Sequence, residues 1–369
     1  MSTTFHCEEP GEHGNLRTDK WQDNWEPLGK LGEVNSGEVH KVKSKDSGEV
    51  FVLKLIRRGV GDREALAEEE LSLLKRVGHI HIVSLVGSFT SPGFFGLLMM
   101  PAAQYNLDRY LSEAATDPHK ISSLRTYFGC LVNALCHLHY MAYVRHNDIK
   151  PQNILVDGSR VLLTDFGISL DWSETLRTTT FGPAPMTSMY SGPEVTDEDQ
   201  SRSTFSDIWS LGCVFLEMIT VIKGRSIHDL RQYLSQRPTS SSAYSHNLFR
   251  VSQWIRSLGA DVNGPEEQLL NMVENMIAEN TQSRPTAERL RTEMLDFDAE
   301  QSFFGDCCIT RSRTEKELKT PIPQEEIADE FPIEQHTSIA AVSWTGEQFH
   351  LPAHSDLSQG HAIFVVYSC

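Results

Sequence analysis

Two acids and one amide, set in short loops on either side of a hairpin, constrain this chain more than any other feature. The run His146-Asn147-Asp148-Ile149-Lys150-Pro151-Gln152-Asn153 is followed, at Asp165-Phe166-Gly167, by a second acid on a glycine turn. Between them, Ile154-Leu155-Val156 and Val161-Leu162-Leu163 have the apolar, branched character of paired strands. A hairpin there carries Asn153 and Asp165 on its two ends. Phosphoryl transfer needs a carboxylate to orient an attacking hydroxyl and take its proton, with further oxygen ligands for the metal that accompanies phosphates. Asp148, Asn153 and Asp165 are residues of those kinds. Any one of them alone reads as a solvated loop residue; together with Lys150, Pro151 and the glycine turn, that plain reading becomes the weaker one.

Length and charge leave room for such a site. The chain has 369 residues, enough for one large or two ordinary domains with a sizeable core. Its formal net charge of −17 argues against nucleic acid or an anionic membrane surface as the main partner. Any phosphate site is therefore expected to be locally basic or metal-assisted. The seven cysteines, at 7, 130, 136, 213, 307, 308 and 369, are odd in number and scattered, with three in apolar helical stretches. They read as reduced thiols. The first twenty residues are polar, without the apolar core of a signal peptide, and no run approaches the length of a membrane span. The expectation is a soluble intracellular protein, cytoplasmic or nuclear.

Upstream, Leu28 to Val42 reads as two strands joined by a glycine-bearing turn, Gly32 to Gly37. By itself this is a plain hairpin, and the segments downstream of it lend it weight. Phe51-Val52-Leu53-Lys54-Leu55-Ile56 is an apolar strand holding one lysine, and a buried ammonium requires a partner. From Asp62 to Val77 the pattern is helical, with Leu66, Leu73, Leu74 and Val77 on one face. Glu70 falls on that stripe, whereas Glu68 and Glu69 point elsewhere. The other reading of Glu70, as part of a solvated acidic face, is the weaker of the two. Phe94 to Met100 is another apolar strand, stopped by Pro101, and Ile121 to Val144 shows the spacing of a long helix leading to the Asp148 loop. The histidine pairs His79/His81 and His137/His139 lack a second pair at ligand spacing, and are taken as structural.

In this order the segments resemble the eukaryotic protein kinases, of the serine/threonine type but with a catalytic loop that lacks the usual arginine. The resemblance implies an α+β, bilobal protein kinase-like fold over 25–297: a small β-rich N-lobe (25–101) and a larger, mainly α-helical C-lobe (102–297). Residues 1–24 are then a polar extension, and 298–369 an acidic linker and tail. The resemblance implies ATP and Mg2+ as cofactors and a protein substrate with a Ser/Thr acceptor; it leaves the oligomeric state open. Carried over position by position, Asp148 is the catalytic base and Lys150 steadies the transferred phosphate. Lys54 and Glu70 position the nucleotide, and Asn153 and Asp165 hold magnesium. Leu31, Gly32, Gly37, Val39, Val52 and Leu155 surround ATP, with Met99 guarding the back of the pocket and the Met100 to Ala102 backbone bonding the adenine edge. Leu74, Leu85, His146 and Phe166 form a stacked apolar column. Glu194, closing Gly192-Pro193-Glu194, pairs with Arg284, Asp207 holds the catalytic-loop backbone, and Thr187 contacts Asp148.

Three departures stand out. Val34 replaces the middle glycine of the phosphate loop, Asn147 replaces the arginine before the base, and Gly192 replaces an alanine. Without that arginine, phosphorylation of the activation segment loses its common cationic receiver. Thr178, Thr179 and Thr180, though placed like phosphosites, are therefore not expected to be needed as an on-switch. Val34 and Asn147 also leave open a pseudokinase scaffold that binds nucleotide or partners without turnover. A small-molecule kinase of related fold fits less well, because the activation segment and the Glu194 to Arg284 arrangement belong to the protein-phosphorylating group. The segment 223–246 reads as a polar surface insertion, and 265–295 as the final two helices. Beyond it, Phe303-Phe304 fits no kinase motif, and Cys307-Cys308 are read as reduced bystanders rather than ligands for metal or lipid. The stretch 315–334 reads as an acidic linker, with strands at 337–344 and 361–367.

Overall fold

A computed structural model describes residues 12–34, 37–59, 63–171, 179–180, 189–195, 202–236, 241–259, 264–298 and 302–309. Branched and aromatic residues set out the first sheet. Strands β1 (Glu12–Asn15), β2 (Trp25–Val34), β3 (Gly37–Ser44) and β4 (Val50–Arg57) precede helix α1 (Arg63–Arg76), and β5 (Ser84–Thr90) and β6 (Phe94–Met100) follow it. The sheet order is β1-β5-β6-β4-β3-β2, antiparallel except for β1 on β5. Part of the predicted polar extension is thus a strand: His13 hydrogen-bonds Ser88 at 2.9 Å and stacks on Phe95. Its alternation is too short to stand out from a polar stretch.

Below the sheet come β7 (Tyr105–Asn106), α2 (Leu107–Ala114), α3 (Pro118–Cys136) and β8 (Val144–Arg145). The Asp117 carboxylate caps α3 by accepting from His119 and Lys120 N–H, and Pro118 takes the first turn, where no N–H is needed. The predicted helix to Val144 ends sooner. One wide turn over His137–Ala142 closes on left-handed Tyr143 (φ 55°), which swings the chain out into β8. The hairpin β9 (Ile154–Asp157) and β10 (Arg160–Leu163) turns at Gly158, and its register pairs Ile154 with Leu163. Asn153 and Thr164 therefore meet, Thr164 N–H donating to the Asn153 carbonyl at 3.0 Å.

Short strands β11 (Leu170–Asp171), on β8, and β12 (Thr179–Thr180), on β13 (Arg202–Ser203), lead to α4 (Thr204–Ile222). Ser203 and Ser206 form a reciprocal cap at its start. Buried all round, with Trp209 and Phe215 fully enclosed, α4 is the axis of the lower core. Each such side chain is worth about 1.5–3 kcal/mol of burial, so packing rather than propensity holds this β-branched helix. It is also the one helix among the described residues long and apolar enough to cross a membrane, contrary to the expectation that no run reaches that length; 83% of that window is buried within the fold.

The remaining helices are α5 (Ile227–Leu234), α6 (Leu248–Gly259), α7 (Pro265–Met276) and α8 (Ala287–Phe297). The segment expected to be a surface insertion thus contributes α5, with Ile227, Leu230 and Leu234 buried, capped by Ser226. Serine-rich flanks hid its three- and four-residue apolar spacing. The packed unit continues to Ile309. Asp298 accepts from Ser302 and Phe303 N–H, Phe303 and Phe304 are buried, and a Cβ on Gly129 of α3 would lie 2.3 Å from the Phe304 ring.

Candidate active site

Lys54 sits mid-strand in β4, flanked by Val39 and Leu97, and is 4% exposed. Its ammonium donates to both Glu70 oxygens (2.7 and 2.8 Å) and to Asp165 Oδ1 (2.9 Å). Burial alone would lower the lysine's pKa; Glu70 and Asp165 outweigh it and hold Lys54 above its ordinary value. Glu70 is buried, and Glu68 and Glu69 are exposed, as the helical pattern predicts. The stripe it lies on is Ala67, Glu70, Leu74 and Val77, however, because Leu66 is 49% exposed.

The loop from His146 to Asn153 hangs on Asp207 of α4. One Asp207 oxygen accepts from Asn147 N–H (2.8 Å), and the other from His146 N–H and the His139 ring (both 2.9 Å). Complete burial would raise this carboxyl, and the His139 contact instead holds it low. Asn147 adopts φ 63°, a left-handed conformation that asparagine tolerates, and its side chain donates to the Ile168 carbonyl at 3.0 Å. The residue standing for arginine thus ties the loop to the segment after the glycine turn. Asp148 receives Lys150 Nζ (2.7 Å) and Asn153 Nδ2 (2.8 Å) on one carboxylate oxygen. Because Nδ2 is engaged on Asp148, the side-chain oxygen is the atom by which Asn153, which lines the cleft, would hold a metal. Asp165, also left-handed (φ 66°), has one oxygen on Lys54. Burial would raise its pKa, but Lys54, helped by His146 and Lys150, holds it below the carboxylate range. Two anionic or amide oxygen donors on adjacent strand ends suit a hard cation such as Mg2+.

Above them opens a cleft of about 390 Å³. Leu31, Gly32, Val39, Val52, Lys54 and Leu155 line it, with Asn153 and Asp165 at its floor. Met99, Ala103 and Gln104 line its connecting edge, and Met100 and Ala102 do not. Gly37 is also off the lining: it sits in the ladder opposite Ile56, where a Cβ would lie 1.7 Å from the Leu55 carbonyl oxygen. Of the predicted column, Leu74, Leu85, His146 and Phe166 are all buried, and the last two rings lie 5.0 Å apart. Thr178 and Thr187 lie outside the described residues, as do the side chains of Val34, Thr179 and Thr180.

A profile of the protein kinase domain matches residues 25–294 of this chain. The chain belongs to the protein kinase family. Among solved structures, that of titin kinase and its flanking domains superposes with a TM-score of 0.61 at 18% identity, covering 79% of this chain and 50% of that one. The present chain thus spans about half the length of the titin chain it matches, and the likeness is one of fold.

Two buried networks brace the kinase C-lobe. Arg284, buried over the Trp209 ring, grips Glu194 with two hydrogen bonds (2.9 and 2.8 Å) and gives its remaining donors to the carbonyls of Ala278, Phe205 and Glu279. Ser206 also donates to Glu194. A Cβ on Gly192 would stand 2.4 Å from a Glu194 carboxylate oxygen, so glycine suits the grip here. Gly192→Ala is expected to displace that carboxylate and lower the unfolding midpoint measurably, a result thermal denaturation checks; an unchanged midpoint would show that the carboxylate can yield. The second network is not anticipated from sequence. Glu217 of α4 is fully buried, accepting from Tyr190 and Tyr244 hydroxyls and from Arg231, which also reaches Asp108. A carboxylate inside an otherwise apolar helix was the available signal, since it requires partners.

Proposed function

We propose that this kinase is an active serine/threonine-protein kinase, transferring the terminal phosphate of ATP to protein hydroxyls. The observation that carries the reading is the intact set of charged groups around one cleft: Lys54 between Glu70 and Asp165, and Asp148 between Lys150 and Asn153. Asp148 orients the attacking hydroxyl and accepts its proton. Lys150, already at that carboxylate, meets the charge of the phosphate being transferred. Lys54, fixed by two carboxylates, holds the phosphates that stay with the nucleotide. Asn153 and Asp165 would hold magnesium, which when bound neutralises charge developing on the phosphoryl oxygens. None of the described cysteines is paired in a disulfide, which favours a reducing compartment, hence a cytoplasmic or nuclear site of action.

The competing reading, a pseudokinase scaffold, rests on Val34 and Asn147. Incubating the purified chain with labelled ATP, magnesium and a generic basic protein, beside Asp165→Ala, separates the two. The expected result is label on serine or threonine with the native chain and none with the variant. Equal background labelling by both would favour the scaffold.

A further inference from the structure

Away from the cleft, three thiols and an imidazole from remote parts of the chain converge on one point. His81 lies in the turn before β5, Cys130 is in mid-α3, and Cys307 and Cys308 sit on the single helical turn over 306–309. Their ligand atoms all lie within 4.8 Å of one another. We infer that His81, Cys130, Cys307 and Cys308 hold one Zn2+ ion in a closed, structural Cys3His site.

The spacing carries the argument. A tetrahedral zinc with Zn–S near 2.3 Å and Zn–N near 2.0–2.1 Å sets its sulphurs about 3.8 Å apart and its sulphur and nitrogen about 3.5 Å apart. Cys130 Sγ lies 3.8 Å from Cys307 Sγ and 3.7 Å from Cys308 Sγ, and His81 Nε2 lies 3.1 and 3.4 Å from Cys308 and Cys307 Sγ. The sulphur separations are nearly twice a disulfide bond, so no oxidised pair accounts for the cluster. His81 Nδ1 donates to the Val161 carbonyl at 2.7 Å, which fixes the tautomer and leaves the Nε2 lone pair aimed at the thiols. A metal-bound histidine is commonly oriented by such a carbonyl. Gly305 completes the cradle, since a Cβ there would stand 3.1 Å from both Cys130 and Cys307 Sγ.

Soft sulphur with one imidazole suits zinc, and with four protein ligands no position is left open for water, which makes the role structural. His81, Cys130 and Cys308 are buried and Cys307 is half-buried. Binding displaces one proton from each thiol to solvent, and the thiolates take the ion. The site joins the segment after α8 to the strand that leads into Asp165. The His81 carbonyl accepts from Leu163 N–H (2.9 Å), and Val83 N–H donates back to the Leu163 carbonyl (3.0 Å). Neither half was legible as a ligand set alone, because His81 and Cys130 lie 177 or more positions before Cys307 and Cys308 in sequence.

The test is metal analysis of the full chain, expressed with zinc supplied and freed of loose metal by gel filtration. Stoichiometric zinc is expected, together with the intense visible bands of tetrahedral thiolate-bound cobalt after exchange with Co2+. Changing both Cys307 and Cys308 to Ser should abolish both signals, and Cys136→Ser, outside the cluster, should leave them unchanged. Should the double variant not fold, the zinc content and cobalt spectrum of the native chain still decide. A native chain with substoichiometric zinc and no such bands would overturn the site, as would full zinc retention in a folded double variant. These readouts are independent of phosphate transfer.

Discussion

Asp148→Asn is expected to cut the rate of phosphate transfer roughly 100- to 10,000-fold, the usual contribution of a positioned general base. The fold should survive, because asparagine has the same shape and the side chain is 20% exposed rather than built into the core. Its side-chain oxygen still accepts from Asn153 Nδ2 and Lys150; what disappears is the capacity to take a proton. Single-turnover rates beside a thermal melt would check both halves. A variant that melts normally and turns over at the native rate would remove Asp148 from the chemistry.

The largest expected loss of stability comes from Arg284→Ala. It strands Glu194, with its two paired oxygens and 15% side-chain exposure, beside a vacated guanidinium site. Removing one member of a buried pair costs about 3–5 kcal/mol, because the remaining charge keeps its desolvation penalty and loses its partner. Denaturant unfolding at neutral pH measures the difference. Its pH dependence has a definite sign. Burial would raise the Glu194 carboxyl, but Arg284 holds it below the ordinary carboxylate value. The pair's contribution is therefore fully present above about pH 4.3, the unperturbed glutamate value. As pH falls through the depressed native value, native and variant stabilities should converge. A gap between them that widened toward acid would contradict this pairing.

The cleft's charged groups were readable because each announces itself locally. A lone lysine in an apolar strand and a glutamate on an apolar helical stripe are costly unless paired, whereas the resemblance to kinases supplied the role of Asp207. Lys54, Glu70 and Asp207 are indeed all paired. What sequence misplaced depends on partners far along the chain. Leu66 belongs to the helical pattern of α1 yet faces solvent, because the packing is made by Ala67 one position on. Gly37 fits a nucleotide loop by spacing, but its lack of a side chain is used against the Leu55 carbonyl. Met99 and Ala103 line the cleft while Met100 and Ala102 do not, because the lining depends on how the connecting segment turns after β6. Strand β1 and the Phe303 segment were invisible for the same reason: β1 is held by backbone pairing on β5, and Phe303 and Phe304 by packing on α3, rather than by a periodicity of their own.

The two outer strands of the upper sheet differ in how they end it. On one side β1 is only four residues long. On the other, β2 carries Pro27, two register breaks and the exposed Lys30 and Glu33 pair. A long, flat, apolar margin invites another chain to add a strand, and shortness, bulges, proline and charge each discourage it. Both flanks of this kinase's upper sheet therefore resist templated stacking by a neighbouring chain.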